Sequence, residues 1–257
     1  MKTDMHIESV KNSKVKEWKK LHTKRGRAKS GTFMIEGPHI VEEASRQGSL
    51  VKEVIMLEES DHSNMADAFN EKARVFTVTE KVMKEISDTE TPQGIAAICT
   101  FPDETIKVQK GKFILLDSIQ DPGNLGTIIR TADAAGYDAV ILGDGCVDPY
   151  NSKVLRSTQG SIFHLPIVKA NLEEFIKQLK EKQIPVYATE VNGGRSYTSL
   201  EKQDTFAIVM GNEANGVSKQ VLQLADERIY IPIFGEAESL NVSIAAGILM
   251  YQLRAQH

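Results

Sequence analysis

The sequence predicts an α/β protein of two domains, and three observations lead there. Strand-like apolar runs alternate with helix-like segments along most of the 257 residues, the pattern of a mostly parallel sheet covered on both faces. A polar, charged stretch at 102–111 interrupts the alternation once and reads as a linker. It separates a smaller α/β domain (1–101) from a C-terminal parallel-sheet domain (112–257). Finally, three loops rich in Gly, Asn, Glu and Ser each follow a strand-like run and precede a helix-like one. Loops so placed gather at the carboxyl edge of an α/β sheet, where such folds bind ligands.

The elements follow in order. Residues 12–22 form an amphipathic helix with Val15, Trp18 and Leu21 about one turn apart. Phe33-Met34-Ile35 is a strand stopped by Gly37-Pro38, and the proline starts a helix running to about Gln47. Then come strand 53–57, helix 64–72, strand 75–78, helix 81–86 and strand 95–99. The second series has strand 113–117, helix 125–135 closed by Gly136, strand 139–142, a short helix 153–158 and strand 163–166. Helix 172–182, strands 186–189 and 206–210, a short helix from Ser218, strand 228–231 and a last helix from about Val242 complete it. Neither an internal repeat nor a low-complexity tract is present.

Composition narrows the function classes. With 41% hydrophobic and 26% charged residues the chain is globular, and no apolar stretch approaches the ~20 residues of a membrane span. The N-terminus lacks an apolar signal core, Cys99 and Cys146 form no CxxC pair, and six scattered histidines offer no ligand spacing. A cytoplasmic protein with reduced thiols and no metal is expected. The net charge of −4 hides an asymmetry: residues 1–31 hold ten Lys/Arg against three acids, a local +7, leaving −11 elsewhere. A solvated lysine-rich helix is the plain explanation. Trp18 and the flexible run Lys24-Arg25-Gly26-Arg27 favour docking to a nucleic acid instead, with Lys24, Arg25 and Arg27 as phosphate contacts.

Each of the three loops has an ordinary structural role to set against a functional one. In Asp121-Pro122-Gly123-Asn124-Leu125-Gly126, Asn124 suits a helix cap and Arg130 lies six residues on. Helix arginines are usually solvated or paired, so Arg130 gains weight only from its company. Gly211-Asn212-Glu213-Ala214-Asn215-Gly216 is a tight turn without the GK[ST] ending of a P-loop, and its acid repels phosphate. Ser239-Leu240-Asn241-Val242-Ser243 follows Ile231-Pro232-Ile233, and Asn241 or Ser239 would serve equally as a cap for the last helix.

Taken together, Asn124…Arg130-Thr131-Ala132…Gly136, Val209-Met210-Gly211-Asn212-Glu213…Gly216 and Ile231-Pro232…Ser239-Leu240-Asn241-Val242-Ser243 resemble the three motifs of the SpoU (TrmH-type) RNA methyltransferases of the SPOUT superfamily. Phe33-Met34-Ile35-Glu36-Gly37 resembles the ribosomal protein L30e-like substrate-binding domain often fused to that branch. The resemblance implies a parallel sheet with a deep trefoil knot, an exception to the rule against threading. It implies methyl transfer from S-adenosylmethionine to a ribose 2′-hydroxyl of RNA, with 23S ribosomal RNA favoured by the L30e-like domain. Thr189, Gly211, Ile231 and Leu240 fall at the cofactor positions. A homodimer is implied too, with Arg130 of one subunit facing the cofactor bound in the other.

The residue chemistry agrees. A ribose hydroxyl is a poor nucleophile until its proton leaves, and methyl transfer needs it in line at about 3–3.5 Å. Guanidinium groups lose a proton only above about pH 12, so an arginine base costs about 7 kcal/mol at neutral pH. A charged Arg130 that stabilises the developing alkoxide, or grips the adjacent phosphate, is cheaper. Glu213 would hold its loop or orient Arg130, while Asn124, Ser239 and Asn241 would fix geometry. The rival functions are transfer RNA methylation, a catalytically silent RNA-binding assembly factor on this fold, and a nucleotide-dependent oxidoreductase. Intact Asn124, Arg130, Glu213 and Asn241 oppose the silent factor, and Asp117 to Gly123 lacks the glycine fingerprint of the oxidoreductase.

Overall fold

The structure, a computed structural model, describes residues 5–47, 50–58, 60, 69, 73–102, 105–191 and 193–255. Its contacts divide the chain into two compact units, 1–103 with 150–163, and 104–149 with 164–257.

The first unit is a five-stranded mixed sheet. Its elements are β1 (Met5–Ile7), α1 (Ser13–Lys20), α2 (Lys24–Ser30), β2 (Thr32–Glu36), α3 (Pro38–Arg46), β3 (Val51–Leu57), β4 (Arg74–Val78), α4 (Glu80–Ile86) and β5 (Ile95–Thr100). The strand order is β1-β4-β3-β5-β2. β3 and β4 run parallel, whereas β5 runs antiparallel to both β3 and β2. Trp18 anchors α1 on the sheet: its ring meets Phe76 edge-on at 5.2 Å, and its indole Nε1 donates to the buried Glu53 at 2.8 Å. That pairing buries a large ring while satisfying its one donor.

Two expectations need correcting here, and a third goes untested. The run Lys24-Arg25-Gly26-Arg27 is not flexible but opens α2, with Thr23 accepting from the Gly26 amide and Gly31 closing the helix at φ 68°. Arg27 is no surface phosphate contact: it is only 5% exposed, and its guanidinium donates to the Leu21 carbonyl at 2.7 Å. That bond is made inside the fold, while Lys24 and Arg25 remain exposed. The expected helix 64–72 lies outside the described residues, Phe69 excepted.

Residues 150–163 pack with this unit although they come late in the chain. They include α6 (Ser152–Thr158), and Tyr150 and Phe163 set their rings 4.7 and 6.3 Å from Phe33. The strand expected at 163–166 is instead a 3₁₀ turn at Ser161–Phe163. Pairing with the strand Ala139–Leu142 starts at Pro166: its carbonyl accepts from the Val140 amide at 3.0 Å, and Ile167 aligns with Val140, although Pro166 has no amide to give.

The second unit is a seven-stranded sheet, parallel throughout. It comprises β6 (Lys112–Leu116), α5 (Pro122–Ala134), β7 (Ala139–Leu142), β8 (Ile167–Lys169), α7 (Leu172–Glu181), β9 (Val186–Thr189), β10 (Arg195–Ser196), β11 (Phe206–Met210), α8 (Lys219–Leu224), β12 (Glu227–Tyr230) and α9 (Val242–Leu253). The order is β10-β12-β9-β11-β6-β7-β8. Its central strands β6, β7, β9 and β11 are mostly buried apolar runs, as a sheet covered on both faces requires, and α7 adds Phe175, Ile176 and Leu179 to the core. Ile106 and Val108 of the expected linker pack against the same core.

The chain leaves β6 towards β7 and β8 on one side, while β11, β9 and β12 lie on the other. A crevice therefore opens past the carboxyl ends of β6 and β11, where connections diverge. Among the described residues no helix is long and apolar enough to cross a membrane, and no cluster of His, Cys, Asp and Glu could hold a metal. Cys99 is buried and Cys146 half-buried, both free, and burial pushes both thiols up.

Candidate active site

Three loops meet at that crevice. The one after β6 holds Ser118 at φ 61° and leads into α5. Here the cap is Asp121, not Asn124: the Asp121 carboxylate accepts from the Asn124 amide at 2.8 Å. Capping by Asp121 leaves the Asn124 side chain free for other work. Its Nδ2 donates to Glu213 at 3.1 Å, and its Oδ1 accepts from Asn241 at 2.9 Å.

The loop after β11 folds back on itself. Asn212 and Gly216 exchange backbone hydrogen bonds at 3.0 and 2.9 Å, and the Asn212 Oδ1 accepts from the amides of Ala214 and Asn215. Gly216 closes the turn at φ 68°. Gly211 is needed for contact, not for torsion: a Cβ there would stand 2.1 Å from Gly216 C and Val217 N. The turn is tied to the β6 loop by Asn212 Nδ2 donating to the Ser118 carbonyl at 2.8 Å.

Glu213 makes the second tie. Its carboxylate accepts from the amides of Gln120 and Asp121 and from Asn124. Burial alone would raise this carboxyl, but the hydrogen bonds from Asn124 and the two amides outweigh it and hold the group below the usual carboxylate range. What Glu213 contributes is therefore fully present above the ordinary carboxylate pKa and is lost as pH falls through the lowered value. Glu213→Gln should be destabilised by about 1 kcal/mol at neutral pH, since one exposed oxygen becomes a donor facing donors. Thermal unfolding of the two proteins should converge as the pH falls through that lowered value, below the ordinary ~4.3 of a glutamate. A gap that persists unchanged into acid would show that the charge of Glu213 does nothing here.

The third loop follows β12 and runs exposed through Phe234 and Ser239 to Asn241. Asn241 caps α9, accepting from the amides of Ser243 and Ile244, while its Nδ2 donates to Asn124. One chain of hydrogen bonds thus joins Asn241, Asn124 and Glu213, members of all three motifs.

Beside this chain lies a cleft of about 610 Å³, within the range of small-molecule sites. Thr189, Gly211, Ile231 and Leu240 all line it, as do Glu213, Ser239 and Asn241. Thr189 is held at the end of β9 by donating to the Val209 carbonyl at 3.0 Å. Glu190, Val191 and Tyr230 also line the cleft and were not singled out from sequence. The Gly193-Gly194 pair just after strand 186–189 was the available sign that this edge too is a loop at the sheet's carboxyl end.

Two expected residues are not drawn into the network. Arg130 is exposed on α5, and Ser239 is exposed on the third loop. Neither side chain has a hydrogen bond or ion pair among the described residues. Glu213 therefore holds its loop and does not contact Arg130.

Comparison with known proteins adds an independent line. Residues 111–251 match the SpoU rRNA Methylase family, and residues 12–97 match the MRM3-like substrate binding domain. The chain is 47% identical to the 23S rRNA (guanosine(2553)-2′-O)-methyltransferase RlmP of Bacillus subtilis, over 96% of this chain and 98% of the relative. It is similar to an AdoMet-bound rRNA methyltransferase from Sinorhizobium meliloti, with a TM-score of 0.86 and 34% identity over 96% of each chain. It is also similar to the SpoU methyltransferase AviRb from Streptomyces viridochromogenes, solved with AdoMet, with a TM-score of 0.83 and 26% identity over 94% of this chain and 97% of that one.

Proposed function

This chain belongs to the SpoU rRNA methylase family and is an S-adenosylmethionine-dependent RNA 2′-O-methyltransferase, and from that premise we propose that its substrate is 23S ribosomal RNA. What supports the choice is that likeness to the Bacillus subtilis enzyme, at 47% identity, runs through 96% of the chain and so through both units. The residue the relative's name gives, a guanosine, is the first to test. Mapping 2′-O-methyl groups in ribosomal RNA from a deletion strain should reveal one lost site, restored by the gene on a plasmid. An unchanged 23S map with a lost mark in transfer RNA would sink the proposal. A cytoplasmic location goes with a ribosomal substrate.

The residues of the cleft fit the cofactor. Close contact at Gly211 leaves no room for a side chain, so backbone itself forms the wall there. Ile229, Ile231 and Leu240 offer apolar faces next to polar backbone and Thr189, a lining suited to a nucleoside bearing a zwitterionic tail. When bound, S-adenosylmethionine supplies an electrophilic methyl group. The chain's own task is to hold the ribose hydroxyl in line and to stabilise its oxygen as the proton departs. Arg130 is assigned the second role, as a cation. Asn124, Glu213 and Asn241 fix the three loops against one another, and Ser239 faces the cleft from its rim. The trefoil knot expected for this sheet belongs to the same proposal, as α9 returns to pack on α5 and β11.

A homodimer completes it. Ile244 and Tyr251 are exposed and Ile248 half-exposed along one stripe of α9, a helix with no charged residue. Such a helix calls for cover on every side. A Cβ on Gly247 of α9 would lie 3.7 Å from Thr131 Cγ2, so Arg130, one residue away on α5, stands near the stripe and would reach the partner's cleft. Mixing Arg130→Ala with Asn241→Ala should restore about a quarter of wild-type activity, because half of randomly paired dimers carry one intact site. A fully active monomer would refute the dimeric site.

A further inference from the structure

The first unit carries a second cleft, of about 740 Å³, under the α1–α2 corner. Its floor is apolar: Trp18, Leu21 and Ile98, each at most 6% exposed. Across the sheet beneath, Arg74, Glu53 and Ile98 stand in register on β4, β3 and β5. The corner itself is tightly built, since a Cβ on Gly26 would lie 1.9 Å from the Lys20 carbonyl oxygen.

Charge is what sets this cleft apart. Six cations line it, Lys14, Lys20, Arg25, Lys29, Lys52 and Arg74, against only Glu17 and Glu53. The two carboxylates are already taken: Lys14 bridges Glu17 at 3.0 Å and Glu53 at 2.8 Å, and Arg74 pairs with Glu53. Lys20, Arg25, Lys29 and Lys52 are exposed and have no carboxylate partner among the described residues. Their placement costs the fold stability. Arg25 and Lys29 stand four apart on α2, a repulsive spacing, and Arg25 sits in the first turn, where the helix dipole disfavours a cation.

We propose that this cleft receives one unstacked nucleotide of the substrate RNA, its base on the apolar floor and its flanking phosphates on Lys20, Arg25, Lys29 and Lys52. The pairing of an apolar recess with an uncompensated basic rim suits a nucleotide, whose base is flat and weakly polar and whose backbone is anionic. It rests on the assignment of RNA as substrate and gives that substrate a second foothold, on the first unit.

Two variants of the full-length enzyme test the two halves of the site on a 23S RNA transcript. Lys20→Ala/Arg25→Ala/Lys29→Ala should raise KM for RNA at least tenfold. The salt slope of binding should fall by about 2, since each lost single-strand phosphate contact removes about 0.7. Turnover at saturating RNA and cofactor affinity should not change. Thr32→Phe, which fills the recess from β2 without altering charge, should raise KM about tenfold and leave the salt slope alone, with Thr32→Val as the control of like volume. Ultraviolet cross-linking of the wild type to transcript bearing 4-thiouridine should label the peptide spanning Trp18 and Leu21, which covers the case of a filler that fails to fold. Unaltered RNA binding by the triple variant would overturn the proposal and leave the rim to an acidic protein. A triple variant that weakens binding, with no cross-link and a folded but silent Thr32→Phe, would reduce the site to a basic surface and overturn the nucleotide pocket. If the wild type methylates no ribosomal RNA, the substrate assignment fails first and separately.

Discussion

Arg130→Ala should slow methyl transfer by about 10²–10³-fold, the loss typical of removing one donor from a developing oxyanion. The structure makes this a clean test. Arg130 is exposed and without a partner among the described residues, so the change removes no contact that holds the fold together. Cofactor affinity measured by calorimetry should stay at the wild-type value, because Arg130 does not line its own chain's cleft and is assigned to the ribose oxygen, not the cofactor. Arg130→Lys keeps the charge and loses the planar fork, so it should retain measurable turnover. Single-turnover rates across pH separate the two roles open to the residue. A cationic stabiliser predicts a lysine variant slower than wild type with a similar pH profile. A base predicts a lysine variant whose rate climbs steeply with pH. Near-wild-type turnover by Arg130→Ala on its cognate RNA would remove the residue from the mechanism.

Gly211→Ala should cost about 10–100-fold in cofactor affinity, corresponding to the ~1–3 kcal/mol of an overpacked site. The added methyl would stand 2.1 Å from the backbone of Gly216 and Val217. Neither neighbour has a rotamer through which to escape, so the whole turn must move. The turn carries Glu213, hence the ties to Gln120, Asp121 and Asn124 should loosen with it. Gly235→Ala, in the exposed loop nearby, meets no atom within 4 Å and should bind cofactor as wild type does. Equal affinities for all three proteins would show that the close approach at Gly211 is not what shapes the cleft.

The catalytic half of the molecule was largely legible because its loops carry residues whose reasons are local. Gly211, Asn212, Glu213 and Gly216 form a turn whose chemistry shows in six consecutive letters, and Asn241 before an apolar run marks a helix start. Partnerships over long sequence separations left no such trace. Asn124 lay within reach of capping α5, and only the fold shows Asp121 taking that role and Asn124 turning to Asn241, 117 residues away. Arg27 was misread for the opposite reason: a basic run looks like a surface, and nothing in it reveals that the Leu21 carbonyl lies in reach. Thr23 and Gly31 flank α2 as a start and a stop, a local helix signal that the basic run with its inner glycine hides. β1, three residues long, is too short to show periodicity. β8 begins at Ile167 because a proline precedes it.

Asn241 serves as helix cap and loop junction with a single amide group. That economy makes the start of α9 a reporter of the cleft. Opening the Asn124 junction frees the Asn241 side chain to rotate, and the amides of Ser243 and Ile244 then lose their acceptor together. Hydrogen–deuterium exchange at those two positions should therefore be governed by the same opening, and a ligand held in the cleft should slow both by a common factor. Tyr251 and the far end of the helix, about two turns on or more, should keep their own rates.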